Sequence, residues 1–391
     1  MRDRLDLEYV LPLRWDPATS AREEPGMTAY LARLAALADV TVVDGSADDV
    51  FAHHHELWSP VVRHVRPEGC LGPNGKVAGV VTGVFGARHE RVVVADDDVR
   101  YDEVALRQLY VAQASADVVR PQCVFEELVW HTRWDTARML VNRAFGHDFP
   151  GTHGLRRSTF VAAGGYDGAA LFENLEMTRT ITAAGGVVLD APWLAVRRLA
   201  PATGQFWDQR VRQAYDDFAQ PARLAVELTL LPAIGLTAWR RPAVLAVWAA
   251  LSVAVAEVGR RRAGGARFFQ RTAALWAPVW VCERAVCVWL AVFHRWSGGA
   301  RYGGRRLPLA AHSTRELRAV RRGTIAERIW TRGGPGCDGG AGRGGMKPPS
   351  RMRYSSGTPG RPGYLFEQVR LRAGTILRGH GQVAQLVRAS D

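Results

Sequence analysis

Two periods of apolar spacing share the first 200 residues. Tyr9-Val10-Leu11-Pro12-Leu13, Val40-Thr41-Val42-Val43 and Val92-Val93-Val94-Ala95 are short apolar runs bounded by charge or turn residues. Such runs predict strands buried on both faces, as in a parallel α/β sheet. Between and after them, Tyr30 to Ala38, Val77 to Phe85 and Asp102 to Ala116 carry apolar residues at helical spacing. Strand, helix, strand at these intervals predicts βαβ units. Residues 116–121 predict a further strand, 124–145 an aromatic-rich helix, Phe172 to Gly185 another helix, and Val187-Val188-Leu189 a last strand. Gly151 to Arg157 predicts a flexible basic turn, and Gly164-Gly165-Tyr166-Asp167 a second turn. Gln209 to Gln213, flanked by Trp207 and Tyr215, falls on a predicted polar helix.

The pattern changes after residue 220. Segments 222–239, 242–259 and 272–293 are rich in Leu, Val, Ala and Trp. Each is close to the ~20 residues that cross a bilayer. Glu227, Glu257 and the pair Glu283-Arg284 interrupt them, and such charges are costly in lipid. Trp239, Trp248, Trp276, Trp280 and Trp289 favour membrane association. The expected organisation is an α/β domain over 1–220, hydrophobic membrane helices over 221–295, and a basic, Gly/Arg-rich, disordered tail over 296–391.

Charge sharpens this division. The formal net charge is +13, yet residues 300–391 hold 18 Lys+Arg against 5 Asp+Glu, so the remainder is neutral. A basic tail on a neutral body does not make a nucleic-acid-binding protein, and no nucleic acid is expected as a partner. Residues 324–391 lose all periodicity. Their ending, Val383 to Ala389, resembles peptides made when a structural-RNA gene is translated, so this segment reads as a frameshift or read-through product. Five scattered cysteines without a CxxC support neither a disulfide framework nor a zinc site. The N-terminal residues lack a long apolar run, and no secretory signal is expected.

The candidate chemistry starts at Asp96-Asp97-Asp98, directly after the third apolar run. Ligands of open α/β sheets bind beyond the carboxyl ends of the strands. Three adjacent carboxylates need a positive partner, and Mg²⁺ or Mn²⁺ takes such oxygen ligands. Asp44 ends the second run in the same way, and Lys76 opens a helix whose N-terminus attracts anions. His53-His54-His55 is expected to face solvent, since consecutive side chains point in different directions.

In this order the motifs resemble those of the family 2 glycosyltransferases. Val42-Val43-Asp44-Gly45-Ser46 is similar to the family's VVDDGS stretch, Asn74-Gly75-Lys76 to its NxGK segment, and Asp96-Asp97-Asp98 to its DxD motif. Gly151 to Arg157 and Gly164 to Asp167 resemble its acceptor-side turns, Glu173-Asn174-Leu175-Glu176-Met177 its EDxEL motif, and Gln209-Arg210-Val211-Arg212-Gln213 the QxxRW motif of its membrane-bound branch. The resemblance implies an A-type glycosyltransferase domain, Rossmann-like and nucleotide-sugar-binding, followed by hydrophobic membrane helices.

The resemblance also implies roles. Asp96 and Asp98 would hold Mg²⁺ or Mn²⁺. Asp44, Lys76, Asp97, Gln209 and Arg212 would bind the nucleoside-diphosphate sugar, with Asp44 on its base or ribose. A lipid or lipid-linked acceptor would arrive from the membrane, with the catalytic domain on the cytoplasmic side of the cell membrane, and attack would invert the anomeric carbon. Two positions depart from the family. Asn174 replaces the aspartate that serves as general base, and an amide cannot take that proton. Gln213 replaces the QxxRW tryptophan and removes an apolar wall of the acceptor site. Glu173 is therefore the expected base, with Glu176 as its alternative unless it is tied to Arg179 or Thr180. Asn174 also motivates a second expectation, an inactive or non-enzymatic membrane-anchored protein that binds nucleotide sugars.

Overall fold

The apolar runs become the centre of an eight-stranded sheet. A computed structural model of the chain describes residues 4–69 and 71–321. The first part of the chain runs β1 (Leu7–Leu13), α1 (Pro17–Ala35), β2 (Asp39–Asp44), α2 (Asp48–Trp58), β3 (Arg63–Val65), α3 (Gly75–Phe85) and β4 (Arg91–Ala95). It continues with β5 (Val99–Arg100), α4 (Glu103–Ala112), β6 (Val118–Phe125), α5 (Trp130–Ala144), β7 (Thr152–Arg156), α6 (Arg157–Ala163), α7 (Glu173–Ala183), β8 (Val188–Arg198) and α8 (Thr203–Tyr215). Three longer helices follow: α9 (Pro221–Arg240), α10 (Val244–Arg261) and α11 (Ala277–Trp296). A hairpin of β9 (Ala300–Tyr302) and β10 (Arg305–Leu307) leads to α12 (Thr314–Arg321).

Strand order is β3-β2-β1-β4-β7-β6-β8-β5. The first four strands are parallel, β7 runs antiparallel between β4 and β6, and β5 pairs antiparallel with β8. The expected α/β class is therefore present, with a mixed sheet. The chain proceeds outward from β1 to β3 and then returns to place β4 on the other side of β1. That reversal opens a crevice beyond the carboxyl ends of β1 and β4, where α/β sheets receive ligands.

Both faces of the sheet are covered, which is why the strands read as unbroken apolar runs. Leu7, Tyr9, Leu11, Val93 and Ala95 pack with Met27, Leu31 and Leu34 of α1 and Leu106 and Leu109 of α4. Val10, Val92 and Val94 point the other way, onto Val77, Val80, Val81 and Val84 of α3 and Ile181 of α7.

The turn expected over 151–157 is instead strand β7, paired with β4 from Arg91↔Arg156 to Ala95↔Thr152. Its glycine and histidine mimic turn chemistry, but a Cβ on Gly154 would press on the Gln113 side chain at 3.0 Å. A strand at that position has to be small.

The helices after residue 220 lie close to their expected bounds. Among the described residues, α9 and the segment Ala273–Trp296 are long and apolar enough to cross a membrane. The charges that interrupt them are paired, with one another or with residues of the α/β domain. Arg284 pairs with Asp217 at 2.9 Å and lies 3.7 Å from Glu227. Arg223 bonds Glu227 at 2.9 Å and Asp217 at 3.1 Å. Glu283 accepts from Trp134 Nε1 and lies 3.7 Å from Arg210. Glu257 is satisfied by Arg260 and Arg261 in the last turn of α10. α10 crosses α5 so closely that a Cβ on Gly259 would sit 1.8 Å from the Leu140 carbonyl oxygen.

The segment 296–321 corrects the expectation of a disordered tail beginning at 296. The hairpin packs Ala300 and Leu307 with Leu171, Tyr215 and Ala291. Leu309 bridges Ala170, and Tyr215 donates to the Pro308 carbonyl at 2.7 Å. Glycine at 298, 299, 303 and 304 supplies the positive φ angles of this fold-back, and that composition is what mimicked disorder. The remainder of the expected tail, 322–391, lies outside the described residues.

Candidate active site

Asp96, Asp97 and Asp98 sit just past β4, at the crevice that the strand order creates. Asn74 caps α3 by accepting from the Lys76 amide, and this cap aims the Lys76 side chain at the carboxylates. Lys76 Nζ lies 2.5 Å from both Asp96 Oδ1 and Glu173 Oε1. Burial works against the charge on Lys76, but its two carboxylate partners outweigh burial and hold the ammonium above its ordinary range. Lys76 is thus the cation at the centre of the cluster.

Arg198, at the end of β8, holds Asp98 at 2.8 Å. Trp15, just past β1, donates its ring N–H to Asp97 at 2.5 Å. Burial, then the neighbouring Asp98, pushes the Asp97 carboxyl up to about 6. Burial also raises Asp98, with Arg198 opposing it.

The donor set suits a hard divalent cation. Asp96 and Asp98 offer carboxylate oxygens with side chains 23% and 22% exposed. Asp98 Oδ1 is buried without a hydrogen-bond partner. Gly151 completes the cradle, because a Cβ there would lie 2.5 Å from Asp96 Oδ2. Oxygen-only ligation of this kind matches Mg²⁺ or Mn²⁺.

The crevice widens into a cleft of about 1560 Å³. Lys76, the three aspartates and Glu173 line one part. Gln209, Arg212 and Gln213 of α8 line another, together with Tyr302 of the hairpin. The Arg212 guanidinium lies over the Tyr302 ring, 5.4 Å from its centroid. Lys76, Gln209, Arg212, Glu173, Asn174 and Asp96 to Asp98 therefore share one cleft, as expected.

Asp44 does not join them. It is 0% exposed and beneath the crevice floor. Its Oδ2 bonds His54 Nδ1 at 2.6 Å and His64 Nε2 at 3.2 Å, and its Oδ1 accepts from the Ser46 amide. These bonds outweigh burial and hold its carboxyl far below the usual range. A side chain so enclosed offers no atom to a donor's base or ribose; it braces the loop of Gly45 and Ser46 instead. His54 likewise corrects the exposed-run expectation. It is buried one turn from Val50 and Trp58 on α2, whereas His53 and His55 are exposed.

The EDxEL-like residues have distinct fates. Glu173 gives one oxygen to Lys76 and accepts from Tyr166 on the other at 3.0 Å. Asn174 faces the cleft and donates to the Pro150 carbonyl at 3.3 Å. Glu176 is 0% exposed. It accepts from the His312 amide at 2.7 Å and meets His312 Nδ1 at 2.9 Å. The expected tie to Arg179 or Thr180 is replaced by this clasp, since Arg179 donates to the carbonyls of His312 and Ala219. Glu176 is structural and has no oxygen left for proton transfer.

Sequence patterns missed Trp15, Arg198, Tyr302 and Asp216. Trp15 alone carried a signal, its place immediately after a predicted strand. The others reach the cleft only through tertiary packing.

A doubly wound sheet with carboxylates beyond the strand that reverses its order has the architecture in which α/β proteins receive ligands. No family model and no curated protein matches this chain. Its structure is similar to the mannosyltransferase PcManGT from Pyrobaculum calidifontis in complex with GDP-Man and Mn²⁺, with TM-score 0.44 and 18% identity over 74% of this chain and 88% of that one. It is similar to a candidate nucleotide-diphospho-sugar transferase from Desulfovibrio desulfuricans G20, with TM-score 0.33 and 13% identity over 53% and 87% of the two chains. It is also similar to GalNAc-T7 with UDP, GalNAc and Mn²⁺, with TM-score 0.35 and 15% identity over 56% and 51%.

Proposed function

We propose that the chain is a metal-dependent, inverting glycosyltransferase. It would move a sugar from a nucleoside-diphosphate sugar to a lipid or lipid-linked acceptor at the cell membrane, with its catalytic domain on the cytoplasmic side. The observation that carries this reading is the Asp96–Asp98 pair at the crevice between β1 and β4, braced by Lys76 and Arg198. A divalent cation bound there would neutralise the charge of the leaving diphosphate. Asp96 and Asp98 would hold it, Lys76 and Arg212 would orient the phosphates, and Trp15 fixes the Asp97 carboxyl beside them.

The acceptor oxygen would attack the anomeric carbon as the bond from that carbon to the diphosphate oxygen breaks. The nucleoside diphosphate leaves with the bonding electrons, and the acceptor proton passes to a carboxylate of the cleft. Support for a membrane acceptor is the apolar surface beside the cleft. α11 packs on α8, and the outer faces of α9 to α11 expose Leu236, Trp239, Leu251, Phe293 and Trp296. Trp239 and Trp296 are 78% and 82% exposed, an arrangement suited to a lipid interface.

The reading is tested by calorimetry on the full chain in detergent with UDP-, GDP- and dTDP-sugars, with and without Mn²⁺. One donor should bind only when metal is present. No binding across the panel removes the proposal. Asn174 favours a second reading, donor binding without transfer, and a donor that binds but is neither transferred nor hydrolysed would establish it.

A further inference from the structure

Asp208 of α8 lines the cleft but is exposed to solvent, and the cleft offers few enclosed carboxylates able to take a proton. Asp96 and Asp98 are the cation pair, and Asp97 is bonded to Trp15 between them. Glu173 is engaged on both oxygens by Lys76 and Tyr166. Asp217 is engaged by Arg284 on one oxygen and by Arg223 and Gln220 on the other. Asp216, one turn beyond Arg212 at the end of α8, also lines the cleft, and its Oδ1 is buried with no hydrogen-bond partner. Gln213 lies on the same stripe, and its side-chain oxygen is buried and unpartnered as well. Two orphaned acceptors three residues apart call for a ligand that brings hydrogen-bond donors.

We infer that Asp216 is the catalytic base, taking the proton of the attacking acceptor hydroxyl while Gln213 accepts a hydrogen bond from a second hydroxyl on the same acceptor. The acceptor class is then a saccharide or polyol head group, and Gln213 has a role that a tryptophan at this position could not fill. The inference rests on the transferase reading of the same cleft.

In the transfer step the acceptor oxygen bonds to the anomeric carbon and its proton moves to Asp216. The carbon–oxygen bond to the diphosphate breaks, and the nucleoside diphosphate departs with that electron pair. The charged groups acting on Asp216 are Arg212 on its own helix, Arg284 on α11, Arg138 on α5 and Arg223 on α9. Arg138 is neutralised by Asp135 and Asp148, while Arg223 and Arg284 share Asp217 and Glu227. Burial therefore prevails and raises the Asp216 carboxyl to about 7, close to where a general base works best.

The test uses the full chain in detergent with the donor identified by binding, Mn²⁺, and a panel of glycolipid and polyol acceptors. Asp216→Asn should bind donor within twofold of the unmodified protein, which reports an intact fold, and lose about 10² to 10⁴ in kcat. The unmodified protein should show a limb in its pH–rate profile near 7, and the variant should lack it. Gln213→Ala should raise the acceptor KM several-fold with kcat little changed. Transfer by Asp216→Asn within threefold of the unmodified protein overturns the inference while the transferase reading stands. If the variant fails to bind donor, a profile of the unmodified protein flat between pH 6 and 8 overturns it. An unmodified protein that binds no nucleotide sugar removes both.

Discussion

The α/β half and the helical half treat charge in opposite ways. Around the cleft, charges gather at an opening and keep coordination capacity in reserve: Asp98 Oδ1 and Asp216 Oδ1 are buried without partners. In the helical half Glu227, Glu283 and Arg284 pair inward with Arg223, Arg210 and Asp217, each still carrying one buried atom without a hydrogen-bond partner, and apolar side chains face out. The difference is one of access: the unpartnered oxygens of Asp98 and Asp216 belong to residues that line the cleft, whereas Glu227 and Glu283 do not line it. The charges that looked incompatible with lipid are the seam joining the apolar helices to the domain.

The sharpest way to break this contrast is Asp96→Ala. Under the proposed function it should weaken Mn²⁺-dependent donor binding by at least about 100-fold, since the cation loses one of two carboxylate ligands. Calorimetry with and without metal checks this, and its unfolding curve should stay near that of the unmodified protein. Arg284→Met should do the reverse. It removes one of the two guanidiniums that Asp217 and Glu227 share in the interior, so it should cost about 3 kcal/mol in denaturant unfolding with little change in donor affinity.

His312→Ala tests a third kind of charge, the clasp on Glu176. Its cost should be about 1.5–3 kcal/mol, the range of a hydrogen bond to a charged group. Glu176 raises the pKa of His312 above its ordinary value. The protonated ring is thus favoured in the folded state, so the clasp's contribution is complete below about pH 6.5 and is lost as pH rises through the raised value. Unfolding of the variant and the unmodified protein should converge as the pH is raised. The smallest effect is expected from Trp239→Ser, which should lower affinity for phospholipid vesicles a few-fold in a sedimentation assay while leaving thermal unfolding unchanged.

Legibility in the sequence followed burial symmetry. β1, β2 and β4 are covered on both faces, so their residues carry unbroken apolar runs, and the place of the aspartates beyond β4 was readable from where that run stops. β7 was unreadable because its neighbours leave room only for small residues at Gly154. The loss of Asp44 to a buried histidine network was also hidden, because His54 and His64 reach it from 10 and 20 residues away. The buried Val50-His54-Trp58 stripe on α2 was present in the sequence at helical spacing and was obscured by the histidines on either side. The hairpin over 300–307 was lost among glycines that serve its turns.

The clasp between Glu176 and His312 joins residues 136 positions apart. Chain growth from the ribosome therefore delivers the aspartate crevice long before it delivers the hairpin wall with Tyr302. A nascent chain halted before residue 300 already contains every aspartate of the crevice but lacks the hairpin that walls one side of the cleft. Synthesis itself sets the order: the aspartates of the crevice first, the hairpin wall last.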